Sequence, residues 1–161
     1  MRIGITGHQR LKEPARWDWV KRELSRLLTA LTPPLVGITS LAIGTDQLFA
    51  NAVLQLGGSL EIVIPFAGYE STFSEERDRQ EYIRLLRRAL KQEVLEKYGS
   101  DEEAYFASGK HMVDQSEFLI AVWDGKPATA LGGTGDVVGY AVQQRKRIIH
   151  LNPITQELEE L

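Results

Sequence analysis

Three glycine-bearing segments carry residue types suited to holding a ligand. Gly132-Gly133-Thr134-Gly135-Asp136 removes side chains where a backbone can cradle a phosphate, and a helical apolar pattern follows it. Gly44-Thr45-Asp46 has the same form at the expected start of another helix, whose free N–H groups suit an anion. Thr6-Gly7-His8-Gln9-Arg10 places two donors, His8 and Arg10, beside a glycine that lets backbone approach a ligand. Asp124 and Asp136 are the carboxylates with a place for acid/base work or for attack at an anomeric centre, should the chain be an enzyme. Each also fits a blander role. Asp136 fits a helix cap, and Asp46 fits a cap or a grip on a ribose hydroxyl; spacing does not separate these. The glycine loop lacks the Gly-Lys-Ser/Thr ending of a Walker loop. Nor does it follow the first strand, where the usual dinucleotide fingerprint sits.

The elements that must position these residues are legible as apolar runs. Arg2–Thr6, Leu35–Thr39, Leu60–Pro65, Phe118–Trp123 and Arg147–Leu151 are short, rich in β-branched residues and bounded by Gly, Pro or polar residues. Continuous rather than alternating apolarity predicts strands buried on both faces of a parallel sheet. Between them, Pro14–Leu31 carries Trp17, Val20, Leu24, Leu27, Leu28 and Leu31 at helical spacing. Asp46–Leu56 and Val137–Gln144 repeat the pattern on shorter scales. The longer stretch Glu75–Ser116 predicts two helices broken at Tyr98-Gly99-Ser100-Asp101, with Asp101 as a cap. Strand alternating with helix predicts an α/β fold: a Rossmann-like three-layer α/β/α sandwich on a mainly parallel five-stranded sheet, one domain over residues 1–161. Such sheets bind ligands at the carboxyl ends of their strands. That places Gly7, His8, Arg10, Ser40, Gly44, Thr45, Asp46, Asp124 and Gly132–Asp136 on one edge. Phe66 and Phe73, after the third strand, are read as packing, while Tyr69 between them is open to stacking on a base.

Composition sets outer bounds. The chain is 43% hydrophobic and 25% charged, with a formal net charge of −3. That excludes a disordered chain and carries no basic footprint for general nucleic-acid binding, which is therefore not expected. Without cysteine there is no disulfide, thiolate nucleophile or cysteine-bound zinc. His8, His111 and His150 fall in different elements, so no metal site and no cofactor are expected. No apolar run is long enough for a signal-peptide core or a membrane span, so the expectation is a cytoplasmic protein with no membrane partner.

Thr6-Gly7-His8, the Ser40–Asp46 segment and Asp124 with Gly132–Asp136 together resemble the SLOG superfamily, which takes in DprA/Smf-like proteins and the LOG-type phosphoribohydrolases. The resemblance implies a Rossmann-like fold, binding of nucleotides, nucleotide-derived signals or nucleic acid, and association of copies through helices. The LOG loop reads PGGxGTxxE. Here Gly132, Gly133 and Gly135 match its glycines, but Asp136 replaces the threonine and Gly139 the glutamate. For the LOG arginine only Lys110 offers a stand-in. A second likeness is to nucleoside deoxyribosyltransferases, whose GTxxEIGYA loop is followed from Gly133 to Ala141, with Val137 where their nucleophilic glutamate stands. Asp136 lies one position earlier, about 100° around a helix. Two functional expectations follow. The first is a nucleotide or nucleotide-sugar ligand at the strand ends, as in a sensor module. The second is an N-glycosidase or deoxyribosyltransferase-like enzyme using Asp136 or Asp124.

Overall fold

The computed structural model describes all 161 residues. In chain order the elements are β1 (Arg2–Gly7), α1 (Arg16–Thr29), β2 (Val36–Thr39), α2 (Thr45–Gln55), β3 (Ser59–Ile64), a 3-10 turn (Tyr69–Thr72), α3 (Glu76–Leu86), β4 (Lys91–Val94), α4 (Asp101–Gln115), β5 (Phe118–Val122), α5 (Thr134–Gln143), β6 (Arg147–Asn152) and β7 (Glu157–Glu160). They build one sheet of order β4-β3-β2-β1-β5-β6-β7. Every pairing is parallel except β6 with β7. The fold is the expected Rossmann-like α/β/α sandwich. The sheet, however, has seven strands rather than five.

The two unforeseen strands are its edges. Lys91-Gln92-Glu93-Val94 and Glu157-Leu158-Glu159-Glu160 are mostly exposed, so neither carries the two-sided apolar signature of the inner strands. β4 also divides the Glu75–Ser116 stretch. Its two helices are separated by a strand and a loop rather than by a single break at residues 98–101.

Each face of the sheet buries its own cluster. On one side Ile3, Ile5, Leu60 and Ile62 meet Val20, Leu24 and Leu28 of α1, Phe49 and Val53 of α2, and Tyr82 and Leu85 of α3. On the other, Ile38, Val63, Leu119, Ala121 and Ile148 meet Met112 and Val113 of α4 and Val137, Val138 and Ala141 of α5. Val20, Leu24 and Leu28 are the four-residue stripe that made α1 readable. Each such fully buried side chain stabilises the fold by about 1.5–3 kcal/mol relative to exposure. α4 is capped by Ser100, whose Oγ accepts from the Glu103 N–H at 3.2 Å; Asp101, the expected cap, is the first helical residue and pairs with Lys97. No helix is long and apolar enough to cross a membrane.

Candidate functional site

A cleft of about 660 Å³ opens along the carboxyl ends of β1, β2, β3 and β5, with α4 forming part of its wall. It spans the point where the order turns: β2 lies on one side of β1 and β5 on the other. That is where the strand-end rule places a ligand.

The start of α2 is already filled. Beyond Gly7 the chain crosses the helix end, and the His8 carbonyl accepts from the Thr45 N–H at 3.2 Å and from Thr45 Oγ1 at 2.9 Å. A partly negative carbonyl oxygen thus takes the place offered to an anion. Both glycines serve this crossing. A Cβ at Gly7 would lie 2.5 Å from Thr45 Oγ1 and 2.7 Å from the Val122 carbonyl. At Gly44, with φ +78°, it would overlap the Gln9 carbonyl. Thr45 is fully buried.

Asp46 does not cap its helix but holds the neighbouring loop. Its Oδ2 accepts from Thr39 Oγ1 (2.9 Å), the Ser40 N–H (3.2 Å) and the Ala42 N–H (3.3 Å). Thr39 Oγ1 in turn accepts from the N–H of Leu41, a residue held at φ +57°. Burial pushes the Asp46 carboxyl up to about 6 although all three hydrogen bonds pull it down. Asp46 therefore shapes the Ser40–Ile43 wall of the cleft. The Ser40 hydroxyl reaches across to Ser108 on α4, 2.8 Å away. Ser108 is buried and lines the cleft with Gly109, where a Cβ would meet Val137 at 2.6 Å. These two α4 residues were missed as site residues, because their small size has no sequence signature apart from the helix they face.

At the β5 side, His8 Nε2 accepts from the Asp124 N–H at 3.2 Å and lies 3.7 Å from Asp124 Oδ1, which also accepts from the Lys126 N–H at 3.0 Å. Arg10 and Lys126 are exposed at the rim. Trp123, to which the sequence assigned only a place at the strand end, lines the cleft. Its indole donates to the Lys126 carbonyl at 2.7 Å and packs 5.1 Å from the His150 ring.

α5 begins three residues earlier than expected, inside the glycine loop. Thr134 and Gly135 are its first two residues, their N–H groups meet no acceptor within the protein, and both line the cleft. The three glycines are required by packing. A Cβ at Gly132 (φ +83°) would lie 2.7 Å from the Glu102 carbonyl, one at Gly133 2.9 Å from Ala128 Cβ, and one at Gly135 2.8 Å from Ala128 N. Asp136 turns back on the loop, accepting from the Gly132 N–H at 2.9 Å, and is not part of the cleft lining. Of the two carboxylates offered for an N-glycosidase reading, Asp136 thus faces elsewhere and Asp124 lines the cleft. Lys110 also lies apart, and Tyr69 reaches the cleft only from within an aromatic cluster. Lys110 Nζ sits 4.8 Å over the Phe106 ring, outside the cleft. Tyr69 is buried among Phe66, Phe73, Tyr82 and Tyr105, and burial holds its phenol well above the usual range. It lines the cleft, with 6% of its surface exposed there.

No protein-family model matches the chain, and no curated protein does. Solved structures do. DNA processing protein A (DprA) from Streptococcus pneumoniae superposes with a TM-score of 0.66 at 16% identity, over 94% of this chain and 50% of that one. DprA from Helicobacter pylori superposes with a TM-score of 0.68 at 14% identity, over 94% of this chain and 65% of that one; its structure describes a single-stranded DNA binding mode. The chain thus spans between half and two thirds of these proteins. These neighbours overturn the expectation of a small nucleotide ligand or an N-glycosidase reaction, and the exclusion of nucleic acid from a net charge of −3. The error was physical: an average charge says nothing about a few donors gathered on one edge. The comparisons do not show the likeness to nucleoside deoxyribosyltransferases. What they show is that this chain has the Rossmann-like α/β/α fold of the DprA proteins, the fold its SLOG resemblance implied.

Proposed function

We propose that the protein binds single-stranded DNA, with the backbone of the strand engaging the cleft at the carboxyl ends of β1 and β5. The observation that carries this is the open start of α5: two adjacent backbone donors, Thr134 and Gly135, in a cleft rimmed by Arg10 and Lys126. A helix N-terminus with free N–H groups favours a phosphate. Trp123 adds an aromatic ring in the same cleft, and stacking tolerates any base. The DprA fold, and the single-stranded DNA bound by the Helicobacter pylori protein, support the choice of ligand.

The charge of the lining bounds the mode of binding. Arg10 and Lys126 are set against Asp46, Asp78 and Asp124, so few phosphates can be neutralised. Fluorescence anisotropy of a labelled oligothymidylate over a salt series tests this. With two cationic contacts, the logarithm of the affinity should fall with the logarithm of salt at a slope of about −1.4. Arg10→Ala or Lys126→Ala should each weaken binding and flatten the slope by about 0.7. Absence of binding at low salt, or affinity indifferent to both substitutions, overturns the proposal.

A further inference from the structure

The cleft keeps two polar atoms that the fold itself does not use. They belong to Asp46 and Tyr69, which line it with only 7% and 6% of their surfaces exposed. All three hydrogen bonds to Asp46 fall on Oδ2, from Thr39 Oγ1 and the N–H groups of Ser40 and Ala42. Its Oδ1 meets no donor in the protein, and the Tyr69 hydroxyl meets no partner. No fully buried side-chain nitrogen or oxygen in the molecule lacks a partner, so both atoms must open on the cleft.

The two atoms have opposite hydrogen-bonding roles. Burial, and after it the charge of Asp46, raises the Tyr69 phenol well above its usual range, so this hydroxyl keeps a proton to donate. The Asp46 carboxyl, pushed by burial up to about 6, is ionised above neutral pH, and Oδ1 is then an acceptor alone. Ile43, Phe73 and Met112 add apolar surface to the same lining. An acceptor and a donor withdrawn from water are satisfied by a flat ligand edge that carries a donor next to an acceptor.

We propose that Asp46 is a base-selecting residue: its free Oδ1 accepts the exocyclic amine of a cytosine or adenine in the bound strand, while the Tyr69 hydroxyl donates to the adjacent ring nitrogen. The inference rests on the single-stranded DNA reading above. Thymine presents the reverse edge, a carbonyl next to an N–H, and sets its O4 against a carboxylate oxygen. Guanine likewise places O6 where cytosine and adenine carry an amine. A carboxylate can grip two neighbouring donors of one base only with both oxygens, and here Oδ2 is already committed to the Ser40–Ala42 loop. The residue that shapes the wall of the cleft thus also reads what enters it.

Anisotropy titrations with labelled oligodeoxycytidylate and oligothymidylate of equal length, at low salt and about pH 8 where Asp46 is ionised, test the selection. The native chain should bind the cytidylate at least about fivefold more tightly. Asp46→Asn keeps a carbonyl oxygen for the Thr39, Ser40 and Ala42 donors and turns an NH2 group to the cleft in place of Oδ1. Its preference should reverse toward thymidylate, whereas a purely structural Asp46 would change both affinities alike. Tyr69→Phe leaves the ring in its aromatic cluster and should shrink the native preference. Circular dichroism verifies that each variant is folded. If the native chain binds neither oligonucleotide, the single-stranded DNA reading fails and this inference with it. Equal affinity for the two, or a preference that Asp46→Asn leaves in place, overturns the base selection alone.

Discussion

Gly44-Thr45-Asp46 and Gly133-Thr134-Gly135-Asp136 are two versions of one local design, a glycine and a threonine ahead of an aspartate at a helix start. Both helix starts border the cleft, and the structure treats them in opposite ways. At α2 the crossing strand end lays its own His8 carbonyl on the helix terminus, and Asp46 is buried holding the neighbouring loop. At α5 the first two N–H groups stay free, and Asp136 turns away to hold Gly132. One start has become a structural joint, and the other keeps two free donors in the cleft. A motif of this kind therefore specifies a helix start with spare donors, and the chain that passes nearby settles who uses them.

The largest effect should come from disturbing the joint. Gly44→Ala must accept φ +78° and overlap the Gln9 carbonyl, and should cost about 2–4 kcal/mol of stability by urea unfolding. Thr134, the first residue of the open helix, should tolerate change far better.

Asp46 gives the joint a pH signature. Its folded-state carboxyl titrates at about 6, above its ordinary value of 3.8, so the folded state holds the proton more tightly than the unfolded chain. Stability from this group is complete below about pH 4 and is lost as pH rises through 6. The change is on the order of 3 kcal/mol. Asp46→Asn should flatten unfolding free energy between pH 4 and 6.

Thr134→Pro sharpens the contrast on the α5 side. Proline suits the first position of a helix, and Gly133 before it is already extended at φ −68° and ψ 171°. The fold should survive within about 0.5 kcal/mol, while oligonucleotide affinity should drop by about 5- to 30-fold for one lost donor. An unchanged affinity with an intact fold would show that the open helix start is idle.

The smallest effect belongs to Asp136. Asp136→Asn keeps an acceptor for the Gly132 N–H and should cost about 0.5–1 kcal/mol, with affinity for DNA within about twofold of the native protein. Anisotropy together with thermal melting reads both quantities.

The five inner strands and α1 were legible because burial on two faces or along one stripe writes itself into consecutive residues. Val20, Leu24 and Leu28, or the unbroken Phe118–Val122, can hardly be anything else. The edge strands were not, since β4 and β7 bury little and owe their conformation to the neighbour they pair with. Of the cleft, the location on the strand-end edge was readable, and Gly7, His8, Arg10, Ser40, Asp124 and Gly132–Gly135 do line it. The roles were not. Lys110 falls on a helix face outside the cleft, and Tyr69 meets the cleft from inside an aromatic cluster, which spacing cannot distinguish.

The sequence by itself determined the layered α/β architecture and the edge on which its glycine-bearing loops gather, because hydrophobic periodicity and strand-helix alternation are local and additive. Only the tertiary structure decided which Gly-Thr helix start is open, where Asp46 and Asp136 point, and which strands close the two edges of the sheet. Those depend on contacts between segments far apart in the chain, and a single crossing carbonyl is enough to reverse the outcome.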